Sequence, residues 1–127
     1  EEVGDVPLLI TASGLFYYFK QKQILGLLRM LGSYGVIEVV FDTVNQQGLR
    51  LMCRKWMKQV GHADAQMYFC VESAKELAPN ITNNVQVLAD EPFYCHIDKK
   101  GLKLSTKFNM IMSDRLRMVK MIHLQYR

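Results

Sequence analysis

Two short apolar runs each lead into polar residues whose types could do chemistry. Ser13 and Gly14 follow the first run and offer a hydroxyl group and a close approach of the backbone to a ligand. Tyr17 and Tyr18 come just after them, and their rings could wall an adenosyl-type or aromatic ligand. The second run ends at Asp42, a carboxylate that could orient a substrate or accept a proton.

Each of these residues also has a purely structural interpretation. Gly14 could serve only to turn the chain, and Tyr17 and Tyr18 could be half-buried parts of the core. An aspartate in the position of Asp42 commonly caps the helix that follows a strand. The residue types alone leave both interpretations open.

The elements that would position this site form a strand, a helix and a strand. Residues 6–12 are almost continuously apolar, which predicts a strand buried on both faces. Ile24, Leu28 and Leu31 recur at helical spacing, and residues 36–41 predict a second buried strand. This βαβ pattern predicts an α/β fold with a mainly parallel sheet, helices on both faces and ligands at the carboxyl ends of the strands.

Further elements follow along the chain. An amphipathic helix is predicted over residues 49–60, with its end at Gly61. Ser73 and Glu76 form a capping box that opens a short helix, which ends near Pro79, and a strand follows over residues 85–94.

The last two predicted elements are a helix over residues 101–114 and a closing strand over residues 121–126. The helix has an apolar stripe of Leu104, Phe108, Ile111 and Met112.

Several other chemistries lack their residues. None of the eight glycines forms a phosphate-binding pattern, so no cofactor fingerprint is present. The three histidines, His62, His96 and His123, lie in separate segments, and His123 is predicted to be structural. The spacing of the three cysteines, Cys53, Cys70 and Cys95, fits neither a disulfide framework nor a structural zinc site, so we expect no metal site. Cysteines without disulfides favour a reducing environment, so we expect a cytoplasmic location. We expect Cys70 and Cys95 to be inert parts of the core.

Composition and charge narrow the function further. The 127 residues are half apolar and 22% charged, which is typical of a globular protein, and the net charge is +4. Residues 98–127 carry eight basic side chains against two acidic ones. No aromatic or glycine-rich pattern accompanies that charge, so we expect a solvated face rather than a nucleic-acid interface. No apolar run is long enough for a membrane span.

The run from Pro7 to Phe19, followed by a helix and by Glu38–Val44, resembles the second half of class I S-adenosylmethionine-dependent methyltransferases. More narrowly, it is similar to the group of leucine carboxyl methyltransferases and tetracenomycin-type polyketide O-methyltransferases. Residues 64–69 and 91–98 also resemble the polyketide branch. The resemblance covers nearly the whole chain.

The resemblance implies that the strands at residues 6–12, 36–41, 85–94 and 121–126 are the fourth to seventh of a seven-stranded Rossmann-like sheet, the seventh antiparallel. Residues 1–127 would then be the carboxyl-terminal, substrate-side half, without the amino-terminal half that holds most of the cofactor. Ser13 and Gly14 would be the remaining cofactor contacts, although Ser13 replaces the family's usual Glu. Tyr17 and Tyr18 would line the acceptor site, and Asp42 is the candidate catalytic residue.

The implied activity is methyl transfer to an oxygen of a small or polyketide-like acceptor, and we expect this chain alone to be inactive. The alternative is a noncatalytic interaction module. A sheet that begins at its fourth strand leaves an edge open, and either a second copy or the missing amino-terminal half could pair with it. An anion or nucleic-acid binder that uses the basic carboxyl-terminal region ranks last.

Overall fold

The computed structural model describes residues 6–60 and 66–126, with side chains for residues 6–55 and 66–126. Four strands and four helices make up the main elements. The strands are Leu8–Ala12 (β1), Ile37–Val44 (β2), Val85–Pro92 (β3) and Val119–Tyr126 (β4), and the helices are Gln21–Leu31 (α1), Gln46–Val60 (α2), Ala74–Ile81 (α3) and Leu104–Arg115 (α4). Short 3-10 turns at Phe16–Tyr18 and Gly32–Tyr34 flank α1.

The four strands form one mixed sheet in the order β1-β2-β4-β3. β1 and β2 pair in parallel across α1, as the βαβ pattern predicts. β4 is antiparallel to both of its neighbours, β2 and β3. The antiparallel closing strand is therefore confirmed. The prediction of a mainly parallel sheet is wrong. β4 lies between β2 and β3 and is antiparallel to both, so two of the three strand pairs are antiparallel.

The main core lies on the face of the sheet that α1 and α3 cover. Ile24 and Leu28 of α1 and Leu77 and Ile81 of α3 are buried there. The sheet contributes alternate side chains of its two central strands, as a half-covered sheet requires. These residues are Ile37, Val39 and Phe41 from β2 and Ile122, Leu124 and Tyr126 from β4.

A second, smaller cluster lies at the opposite face, near the carboxyl end of β2. Val44 of β2 pairs in register with Val119 of β4. Because side chains alternate between the two faces along a strand, both lie on the face opposite to that of Val39. Leu49 and Met52 of α2 pack against this cluster. Helices therefore contact the sheet on both faces, with α2 confined to one end.

The prediction that the first strand is buried on both faces is wrong. β1 lies at the edge of the sheet, and within the described part of the chain it pairs only with β2. Leu9 is 63% exposed and Leu8 is exposed as well, whereas Ile10 and Ala12 pack against the main core. An apolar run typical of an interior strand therefore occupies a solvent-exposed edge.

Two further helices occur close to their predicted positions. α3 includes Pro79 and ends near it, at Ile81. α4 forms where predicted, but of its residues only Met110 is buried, and Leu104, Phe108 and Ile111 are exposed. The apolar stripe of α4 therefore lies outside the two packed core clusters. The predicted stop of α2 at Gly61 lies outside the described residues.

Candidate functional site

The carboxyl ends of β1 and β2 lie side by side, because Ala12 pairs in register with Phe41. Ser13 and Gly14 leave β1 at this end, and Asp42 follows Phe41 within β2. Gly14 has a φ of +65°, in the left-handed region that favours glycine. The topology therefore brings Ser13, Gly14 and Asp42 to the end of a parallel pair where ligands of α/β sheets bind.

Asp42 joins the loop after β1 to the end of β2. Its side chain is largely buried, with 8% of the residue exposed. The backbone N–H of Gly14 donates to Oδ1 at 2.8 Å, and the phenol of Tyr17 donates to Oδ2 at 2.6 Å. Each carboxylate oxygen thus has a partner, so Asp42 fixes the loop in the way that a structural carboxylate does.

The helix-capping role proposed for Asp42 belongs to Asn45. The Asn45 side-chain oxygen accepts from the backbone N–H of Gly48 at 2.7 Å, which is the bond that an N-cap residue makes. The amide of the same side chain donates to the carbonyl of Leu116 at 3.1 Å. Asn45 therefore caps α2 and ties it to the segment before β4.

Tyr17 and Tyr18 point to different surroundings. Tyr17 is buried, and burial, followed by the hydrogen bond to Asp42, raises the pKa of its phenol far above the usual value. The phenols of Tyr94 and Tyr18 add further electrostatic contributions in the same direction. Tyr18 itself is 42% exposed. The structure thus groups Tyr17 with Gly14 and Asp42, and leaves Ser13 and Tyr18 at the surface.

An apolar cleft of about 500 Å³ lies between α2 and α4. Tyr94, which comes soon after β3, lines it, as does Met118, whose carbonyl accepts from the N–H of Asn45 at the end of β2. This cleft therefore lies at the same end of the sheet as Asp42. Its other lining side chains are mainly apolar with a few polar groups, and they include Leu51, Lys55, Phe108, Asn109 and Met112.

The sequence patterns did not indicate this cleft. Its residues come from α2, from the segment after β3, from α4 and from the segment between α4 and β4, so their proximity depends on the tertiary fold. The one signal in the sequence was the apolar stripe of α4, to which the predictions gave no role in a site. A stripe that includes both Phe108 and Met112 is also what one wall of an apolar binding site needs.

The histidines and cysteines are distributed over several places. His123 contacts Glu38 at 2.8 Å on the sheet face opposite the main core, and His96 contacts Glu91 at 2.8 Å in the segment after β3. Cys70 is partly buried, which raises the pKa of its thiol. Cys95 is exposed, so the expectation that it belongs to the core is wrong. His62 lies outside the described residues.

Two basic residues of the carboxyl-terminal region, Lys120 and Arg117, contact other parts of the fold. Lys120 is 1% exposed, its ammonium group donates to the carbonyl of Glu72, and it lies 3.8 Å from Oδ1 of Asp90. Burial lowers the pKa of Lys120. The guanidinium of Arg117 donates to the carbonyl of Asp90 at 2.8 Å. These two cations therefore link β4 and the residues before it to β3 and to the segment before α3.

Asp90 is the centre of that arrangement. Its Oδ2 accepts from the N–H of Ala74 at 2.9 Å, at the first residue of α3. Ser73 caps the same helix by accepting from the N–H of Lys75, which confirms its predicted position at the helix start. A carboxylate at this end also interacts favourably with the helix dipole. The charges near α3 thus have a clear structural role.

No protein-family model, curated protein or solved structure matches this chain at a significant level. Within the described residues, every helix is too short or too polar to cross a bilayer. The site therefore consists of a fixed polar loop at the carboxyl ends of β1 and β2 and an apolar cleft at the same end of the sheet.

Proposed function

We propose that this chain forms the substrate-side half of an S-adenosylmethionine-dependent O-methyltransferase with a Rossmann-like sheet. The observation that carries the proposal is the apolar cleft between α2 and α4, which lies at the same end of the sheet as the loop that Asp42 holds. The antiparallel last strand agrees with the seventh strand that the family resemblance implies. The acceptor would be a small or polyketide-like molecule with a hydroxyl group.

In such a reaction S-adenosylmethionine supplies an activated methyl group, so the protein must align the acceptor and exclude water. In this proposal the apolar wall of Phe108 and Met112 binds the acceptor skeleton. The loop of Ser13 and Gly14, held by Asp42, borders the cofactor. Because both Asp42 oxygens already accept hydrogen bonds, we assign Asp42 to positioning that loop rather than to proton removal.

A titration of residues 1–127 with a hydroxylated anthraquinone, followed by NMR, tests the acceptor cleft. We expect shifts of signals from Tyr94 and Met112, and at least about tenfold weaker binding in Phe108→Ala, which removes part of the apolar wall. Leu104→Ala is the matched control, because Leu104 is 86% exposed on the same helix and outside the cleft. Equal weakening by both variants, or no shifts in the cleft, would count against the proposal.

The second candidate function is a noncatalytic module that pairs with a second copy through the free edge of β1. The exposure of Leu8 and Leu9 favours it, because an apolar strand edge without charges attracts another strand. No charged residue occurs between Val6 and Phe19. Among residues 6–60 and 66–126, β1 pairs only with β2, so the backbone groups on its other side would supply the hydrogen bonds of such a pairing.

Sedimentation tests this second candidate. A dimer that Leu9→Lys converts to monomer, and that Leu104→Lys leaves intact, is the expected result, since a charge on an edge strand blocks pairing. Leu104 is again the control because it is strongly exposed on α4, away from β1. A chain that is folded and strictly monomeric at all concentrations excludes pairing between copies.

A further inference from the structure

The segment after β3 brings together three side chains that can bind a metal. Glu91 lies near the end of β3, and Cys95 and His96 follow in the next turn. A carboxylate oxygen, the thiol sulfur and an imidazole nitrogen all lie within 4.8 Å of one another. The closest pair is Nε2 of His96 and Oε2 of Glu91, at 2.8 Å.

The backbone of this turn is held in place by its neighbours. The N–H of Phe93 donates to the carbonyl of Val119 in β4 at 3.0 Å, and the N–H of Tyr94 donates to Oδ1 of Asp114 in α4 at 3.1 Å. Within the turn, the N–H of Cys95 donates to the carbonyl of Pro92. The three candidate ligands therefore project from a segment that is fixed to both a strand and a helix.

We propose that Glu91, Cys95 and His96 form a zinc site with a fourth position open to solvent. One sulfur, one nitrogen and one oxygen ligand suit Zn²⁺, whereas Ca²⁺ and Mg²⁺ prefer oxygen ligands alone. Zinc bonds of about 2.0–2.3 Å in tetrahedral geometry separate ligand atoms by roughly 3.3–3.8 Å. Rotation about exposed side-chain bonds supplies the small adjustment from the present spacing.

A surface ion pair explains less of this arrangement than a metal does. An exposed pair such as Glu91 and His96 contributes only about 0–1 kcal/mol. Such a pair also leaves Cys95 without a role. A bound Zn²⁺ uses all three side chains and keeps the thiol as its thiolate. The site goes beyond the proposed methyl transfer and does not depend on it.

Titration with Co²⁺ under reducing conditions tests the site, because cobalt bound to a thiolate gives a charge-transfer absorption band. We expect one Co²⁺ per chain and displacement by Zn²⁺. Cys95→Ser should abolish the band. Cys70→Ser is the matched control and should retain it, because Cys70 is partly buried and is not a member of the cluster.

Two further variants test the other ligands. His96→Gln and Glu91→Gln should each weaken Co²⁺ binding by roughly tenfold or more. Even removal of a group that only hydrogen-bonds to a metal ligand lowers metal affinity by about that factor. Circular dichroism serves as the folding control, and all three side chains are exposed. A wild-type chain without the band, a band that survives in Cys95→Ser, or unchanged affinity in His96→Gln overturns the proposal.

Discussion

The phenol of Tyr17 donates a 2.6 Å hydrogen bond to Oδ2 of Asp42, and both residues are buried. Through this bond the 3-10 turn after β1 is fixed to the end of β2. The other carboxylate oxygen accepts from the N–H of Gly14. A loop that would border a ligand is thereby held rigid by a carboxylate from the neighbouring strand.

Removal of the Tyr17 hydroxyl should destabilise the protein. Tyr17→Phe leaves Oδ2 of Asp42 without its partner in a buried place, which costs about 1–3 kcal/mol of the free energy of unfolding. Tyr18→Phe is the control, because Tyr18 is well exposed, and its effect should stay within about 0.5 kcal/mol. Urea unfolding of both variants measures the difference, and equal stabilities would contradict this role for Asp42.

A pair of glycine substitutions tests the packing of α2. A Cβ at Gly48 would lie 2.7 Å from the carbonyl oxygen of Met118, and a backbone atom cannot move aside cheaply. Gly48→Ala should therefore cost about 1–3 kcal/mol. Gly26→Ala in α1 meets nothing within 4 Å and should stabilise by about 0.5–1 kcal/mol, because alanine favours the helix. The same sign for both changes in thermal unfolding would refute this packing.

The buried charges around Asp90 should act as a unit. Asp90→Ala removes the partner of the Lys120 ammonium and of the Ala74 N–H, and it should cost about 3 kcal/mol. Adding Lys120→Met should cost less than the sum of the two changes, since no buried ammonium then remains unpaired. Asp98→Ala, at an exposed turn, is the control. Strict additivity in urea unfolding would show that the two charges are uncoupled.

Stability should fall in alkaline solution because of buried phenols. Burial raises the pKa of Tyr126 to about 12, and its hydroxyl donates to the carbonyl of Leu28 at 2.5 Å. The unfolded chain releases this proton near pH 10, so the free energy of unfolding falls between about pH 10 and pH 12, by up to about 1.4 kcal/mol per pH unit. Below pH 10 the contribution is fully present.

Tyr126→Phe checks the alkaline effect. The variant has no phenol to titrate at this position, so its free energy of unfolding should fall less steeply across the same pH range. Tyr34→Phe is the control because Tyr34 is 67% exposed. Identical pH slopes for the wild-type protein and Tyr126→Phe would contradict the assignment.

Local patterns predicted much of the fold. The strands and helices occur close to the predicted positions, because their periodicity reflects burial on one side. The apolar run of β1 wrongly predicted burial on both faces, since such a run does not tell which strands flank it, whereas the family resemblance implied an open edge at this strand. The strand order also depends on pairings between β2, β4 and β3 that are remote in sequence.

The candidate site was predictable only in part. The proximity of Gly14 and Asp42 follows from two adjacent parallel strands, and the sequence showed both residues. The hydrogen bond of Tyr17 to Asp42, and the cap that Asn45 provides, depend on side-chain directions that residue types do not set. The cleft between α2 and α4 and the cluster of Glu91, Cys95 and His96 arise from turns and tertiary packing.

Isothermal titration with S-adenosylmethionine tests the proposed function most directly. The complete product of the gene should bind one S-adenosylmethionine per chain. Residues 1–127 alone should release no binding heat. Within this range we assign only two cofactor contacts, Ser13 and Gly14, and both are exposed. A complete product that binds no S-adenosylmethionine would contradict the proposal that this chain is half of a methyltransferase.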